Sequence, residues 1–249
     1  MKILFVGNSQ LGCLKLAFDE TPDVLHGHEV HFQVFPGGEG PSFDLEGGKL
    51  VPIQEAVNPN FPPRVSPEEA AELPVDAYDV IVVSALGYVD GGFYYKNPAT
   101  LQGQLHGYGP KKNDLSNRPL SAACYRSLIS GCLRGQDGFK FLSRLRESFR
   151  SRIIVQPFPL MSEIVRDHPG WSLNRMYEDP IGVHRFITQA RDEVLAAACD
   201  SVSAVLLPHP DASWKDQLFT PRELMGRGDG LHPLPPYGEM VLRQVVQAL

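Results

Sequence analysis

The chain has 249 residues, with 23 Lys and Arg against 29 Asp and Glu, and a formal net charge of −6. A hydrophobic share of 43% and a charged share of 21% exclude global disorder and allow a sizeable core. A mildly acidic chain without a basic run is not expected to bind nucleic acid, and no apolar stretch approaches the roughly 18 residues of a membrane span.

The first predicted strand, residues 2–6, is almost wholly apolar (Ile3, Leu4, Phe5, Val6). It is shorter than the roughly 7–15 residues of a secretory signal core, so the expected location is cytoplasmic. A helical pattern over 11–18 follows, then a strand over 29–35. The connection from 36 to 78 is far longer than the usual 2–6 residues. Within it, residues 43–51 read as a small hairpin turning at Gly47-Gly48. A third strand spans 79–85. A second long connection, 87–119, carries Tyr88, Phe93, Tyr94, Tyr95 and Tyr108, which suit either packing over the sheet or an aromatic platform for a flat substrate.

Helical patterns over 120–133 and 139–149 lead to a strand over 152–158. A helix over 181–199, a strand over 203–207 and a closing helix over 236–248 complete the chain. On the second of these helices, Arg144, Arg146, Glu147 and Arg150 read as a solvated face. Strands alternating with helices predict an α/β fold with a mainly parallel five-stranded sheet. Nearly continuous apolar runs predict strands covered on both faces. With no internal repeat or boundary signal, residues 1–249 read as one domain with loop insertions at about 36–78 and 87–119. Cys13, Cys124, Cys132 and Cys199 form no CxxC pair, lie in predicted helices and are expected to be buried free thiols.

Both long connections begin at the C-terminal ends of strands, where open α/β sheets place their ligand crevice. So does Gly7-Asn8-Ser9-Gln10-Leu11-Gly12. As a phosphate loop it has Ser9 where G-x-G-x-x-G needs its middle glycine, and the second strand ends Val34-Phe35-Pro36 without the expected acidic residue. As a catalytic turn it holds a serine at a helix N-terminus, where backbone N–H groups and the helix dipole favour an oxyanion. As plain structure it is a Ser N-cap. Near the C-terminus, Asp229-Gly230-Leu231-His232-Pro233 supplies a base and a carboxylate on one local turn, and an unactivated serine needs both.

This pair of blocks resembles the SGNH (GDSL-type) hydrolase superfamily. In that family the serine follows the first strand in a Gly-Asp-Ser block, matched here by Gly7-Asn8-Ser9 with Asn8 in the aspartate's place. Its Asp-x-x-His block precedes the last helix, as do Asp229 and His232, followed by Pro233 and by Tyr237-Gly238. The resemblance implies a three-layer flavodoxin-like fold and ester-directed chemistry without metal or organic cofactor. Ser9 would be the nucleophile, His232 the general base and then acid, and Asp229 the group that orients it. An α/β-hydrolase elbow is not matched, because Leu11 stands where G-x-S-x-G needs glycine.

The resemblance also implies an oxyanion hole of the Ser9 N–H, a glycine N–H after the second strand and an asparagine after the third. Gly40 is the preferred glycine and Gly38 the reserve. The third block aligns with Gly87-Tyr88-Val89-Asp90, where Val89 cannot donate a hydrogen bond. Loss of one such donor typically costs about 10²–10³ in rate. Asn97, Asn113 and Asn117 are the nearby asparagines able to replace it. His26, His28 and His31 form H-x-H-x-x-H without a common ligand geometry, so no metal site is expected. The expected partner is a small-molecule or carbohydrate ester. The alternatives are acyl transfer to a sugar hydroxyl, or a non-catalytic ligand-binding module that retains the fold.

Overall fold

Alternate residues of the first strand, β1 (Lys2–Gly7), enter two different cores, which sets the layering of the molecule. Ile3 and Phe5 join one apolar cluster and Leu4 and Val6 the other. The computed structural model describes residues 1–34, 43–52, 73–87, 121–135, 137–164, 181–210, 218–226, 230 and 232–249.

β1 pairs in parallel with β2 (Glu29–Val34) on one side and β6 (Val80–Leu86) on the other. β7 (Arg152–Pro157) and β8 (Val205–Leu206) extend the sheet in parallel, giving the order β2-β1-β6-β7-β8. Helices α1 (Leu11–Glu20) and α5 (Pro235–Ala248) cover one face through Leu11, Leu14, Tyr237, Val241 and Val245. On the other face, Ile129 and Leu133 of α2 (Ala122–Gly135) pack with Phe141 and Leu145 of α3 (Asp137–Ser148). Ala190 and Leu195 of α4 (Ile181–Ser201) complete that layer. This is the predicted α/β architecture, a mainly parallel sheet between two layers of helix.

The hairpin forms as expected: β3 (Phe43–Glu46) and β4 (Lys49–Pro52) are antiparallel, and Gly47 and Gly48 take φ of 57° and 77° at the turn. A third strand, β5 (Leu73–Pro74), pairs with β4. Two residues ending in proline carry no period-2 signal, so the sequence does not reveal it.

Other expectations need correction. The fifth predicted strand shrinks to Val205–Leu206, because Ser203 adopts a φ of 52° and Ala204 N–H bonds back to Cys199 O. Arg146 does not belong to a solvated face. Its guanidinium donates to the carbonyls of Val202, Phe149, Ser151 and Ser203, tying α3 to the turn after α4. Cys13 and Cys199 are buried, which pushes both thiols up to about 12, whereas Cys124 is exposed on α2. Among the described residues no helix is long and apolar enough to cross a membrane.

Candidate active site

Gly7 ends β1 against Ser84 of β6, its register partner. A Cβ on Gly7 would stand 3.0 Å from Ser84 Cβ and 3.1 Å from Ser84 O, so the two strand ends meet this closely because Gly7 has no side chain. The chain then turns into α1. Asn8 Oδ1 accepts the Gln10 N–H at 3.0 Å, Asn8 O accepts the Leu11 N–H at 2.9 Å, and Ser9 O accepts the Gly12 N–H at 3.1 Å. The helix N-cap is Gln10, without a side-chain cap bond. Asn8, not Ser9, therefore supplies the side-chain oxygen of this turn, and the Ser9 hydroxyl is left for other work.

That work is visible. Ser9 Oγ lies 2.9 Å from His232 Nε2, across 223 residues of sequence, and both side chains are exposed. With Nε2 unprotonated the hydroxyl donates to it, the arrangement in which a base removes the proton of an attacking serine.

Several contacts fix His232 there. Its carbonyl accepts the Gly226 N–H at 2.9 Å, Pro233 forms an antiparallel bridge with Met225, and Leu234 N–H donates to Leu224 O. Gly230 O accepts the Ser162 N–H at 3.0 Å, anchoring the same loop to the segment after β7. Gly230 has a φ of 64°, a left-handed turn that glycine adopts without strain. Beyond the loop, α5 packs on α1 through Gly238. A Cβ at Gly238 would lie 2.3 Å from Cys13 O and 2.8 Å from Cys13 C, closer than atoms can approach. The missing side chain brings the start of α5 and the start of α1 together, and with them His232 and Ser9. Tyr237, beside it, is fully buried, and burial pushes its hydroxyl well above the usual phenol range.

At the adjacent strand end, β6 leaves its regular path. Ala85 has a φ of 62°, and the pairing of β6 with β7 shifts register between Ser84 and Leu86. The buried Gln156 side chain sits in this irregularity. Its Oε1 accepts from Ser84 Oγ at 2.5 Å and from Ala85 N–H at 3.1 Å, while its Nε2 donates to Pro157 O at 2.7 Å. Sequence reasoning missed Ser84, Gln156 and the packing role of Gly238. The available signal for the first two was a lone polar residue inside each of the apolar runs Val-Ile-Val-Val-Ser-Ala-Leu and Ile-Ile-Val-Gln-Pro.

Past the end of β8, His209 joins a second polar cluster. Arg191 Nη2 donates to His209 Nε2 at 2.8 Å and to Asp192 Oδ1 at 2.6 Å. Burial pushes the His209 imidazole below its ordinary range, and the Arg191 charge adds to this against the pull of Asp192. Burial raises the Asp192 carboxyl, but His209 at 3.8 Å and the Arg191 cation outweigh it and hold the carboxyl below its ordinary range.

Asp229, Gly38, Gly40 and Val89 lie outside the described residues, as do Asn97, Asn113, Asn117 and the aromatic residues of the second long connection. His31 faces the Tyr78 hydroxyl through Nδ1 at 2.9 Å and Glu29 Oε1 through Nε2 at 3.2 Å.

No protein-family model and no curated protein sequence matches the chain. Solved structures do. An extracellular lipase from Streptomyces rimosus superposes with a TM-score of 0.51 over 100% of both chains at 10% identity. An acetyl xylan esterase from Geobacillus stearothermophilus gives 0.43 over 99% of this chain and 93% of that one, at 11% identity. A putative GDSL-like lipase from Parabacteroides merdae gives 0.43 over 99% of this chain and 94% of that one, at 13% identity. The likeness to the Streptomyces lipase is one of fold.

Proposed function

We propose that this protein is a serine-dependent ester hydrolase of the SGNH type. The observation that carries the reading is the 2.9 Å contact between Ser9 Oγ and His232 Nε2 at the C-terminal edge of the parallel sheet. It is supported by the paired sequence blocks around Ser9 and His232, and by a fold held in common with a known lipase.

In this reading His232 takes the Ser9 proton as Oγ attacks the ester carbonyl carbon. The tetrahedral oxyanion collapses, the C–O bond to the alcohol breaks, and His232 returns its proton to the leaving alkoxide. Water, deprotonated by His232, then attacks the acyl-enzyme and releases the acid and Ser9. Asp229 is assigned the task of holding the imidazole tautomer with Nε2 free. The Ser9 and Gly40 N–H groups are assigned the oxyanion, with Gly38 in reserve. The substrate is a small-molecule or carbohydrate ester, and the working location is the cytoplasm.

The test is covalent. A fluorophosphonate should label the wild-type protein at Ser9, and a short p-nitrophenyl ester should be hydrolysed. Labelling should vanish in Ser9→Ala and fall steeply in His232→Ala. A folded wild-type protein that neither labels nor turns over any of a panel of acyl esters would overturn the proposal.

A further inference from the structure

We infer that Gln156 is a positioning residue for this active site: it clamps the Ser84–Leu86 kink and so sets the direction in which the chain leaves β6 beside Ser9. The inference rests on the serine-hydrolase reading above and adds a residue that neither sequence block contains.

The argument begins with strain. Ala85 has a Cβ and a φ of 62°, a conformation that residues other than glycine rarely adopt. Such a conformation persists only where its surroundings enforce it, and enforced backbone of this kind concentrates at functional sites. Gln156 provides the enforcement. One carboxamide oxygen accepts both the Ala85 N–H and the Ser84 hydroxyl, and the amide nitrogen is anchored on Pro157 O. The group is 2% exposed, so water cannot replace these bonds. Beyond the kink the strands re-engage, with Phe158 N–H donating to Leu86 O at 2.8 Å, and Gly87 turns with a φ of 83° against Leu195 of α4.

Location supplies the second half. Ser84 is the register partner of Gly7, and the space at Gly7 is filled by Ser84 Cβ and O. The kink therefore leans on the strand end that delivers Ser9 two residues later. Because side chains alternate along a strand, a register shift here decides which way every following residue faces. An unclamped β6 would continue in extended geometry and leave the sheet in another direction. Binding of an ester need not change, whereas alignment at the reacting carbonyl would.

The experiment is a rescue. Gln156→Met keeps an unbranched side chain of similar length but cannot hold the two donors. It should lower kcat on a p-nitrophenyl ester on the order of 10²-fold, with KM changed less than threefold and the acid limb of the pH profile unmoved. Glycine adopts a φ near 62° without strain, so in an Ala85→Gly background the same Gln156→Met change should cost less than tenfold. General loss of stability would produce no such rescue. If Gln156→Met does not fold, Gln156→Asn takes its place, since a side chain one methylene shorter cannot reach both donors. An unchanged kcat, or an equal loss in both backgrounds, overturns the positioning role. Ser9→Ala, run alongside, separates the two ideas: activity surviving there overturns the serine mechanism itself, whatever Gln156 does.

Discussion

His232 and His209 serve one sheet edge under opposite conditions. His232 is exposed and meets a serine hydroxyl at 2.9 Å; His209 is 6% exposed and meets a guanidinium at 2.8 Å. An exposed imidazole beside a hydroxyl is open to whatever enters the crevice. A buried one that accepts from Arg191 resists protonation, because a second cation would stand beside the first in a poor solvent for charge. The contrast separates an imidazole available for proton transfer from one committed to holding α4 against the end of β8. Both are histidines beside prolines, and the Asp-x-x-His spacing marked only His232.

The largest effect that can break this comparison is catalytic. His232→Ala should reduce ester hydrolysis by about 10³-fold or more while leaving the thermal midpoint nearly unchanged, because an exposed side chain is being removed. His209→Ala should do the reverse, lowering the midpoint by several degrees while kcat stays within a few-fold. Equal effects of the two variants on both readouts would dissolve the distinction.

Next in size is Arg191→Met, which leaves His209 and Asp192 without their shared donor. The expected cost is about 2–3 kcal/mol in urea unfolding, below the 3–5 typical of a fully buried pair because Asp192 keeps part of its solvent contact. A loss under 0.5 kcal/mol would mean that the cluster contributes little.

Gly238→Ala sharpens the other side of the comparison. The added methyl meets Cys13 O, so α5 must move off α1, at a cost of about 1–3 kcal/mol. Because the same contact brings Ser9 and His232 together, kcat should fall further than the stability loss alone explains. A variant with wild-type kcat at a temperature where it is fully folded would show that the helix contact does not set the catalytic distance.

The smallest effect is on pH. The folded-state pKa of His209 lies below its unfolded value near 6.5, so its contribution to stability is complete above that value and is lost as pH falls from 6.5 toward the folded pKa. The slope from one such group is at most about 1.4 kcal/mol per pH unit. Urea titrations between pH 7.5 and 5 should show a decline that is flatter in His209→Gln. A curve of the same steepness in that variant would assign the acid sensitivity to another group. Asp192, also depressed, adds its own loss only below about pH 4.

The sequence by itself determined the sheet, because runs such as Ile-Leu-Phe-Val and Val-Ile-Val-Val are stable only when covered on both faces, and the helices between them provide that cover. It also singled out Ser9 and His232, since each lies in a short local block whose residue types suit one chemistry. Tertiary structure alone decided how the blocks meet. The glycine that lets α5 touch α1 is 225 positions from Cys13 in register with nothing local, and its value comes entirely from the backbone atom it faces. Gln156 reads as a blemish in an apolar strand until the strained Ala85, 71 residues earlier, is seen against it. Arg191 and His209 carry no signal in the local pattern, and it is α4 and the end of β8 that bury them together. Local patterns report what a segment must bury, whereas close approach, strain and buried polar partnership are properties of pairs, and folding alone chooses the pairs.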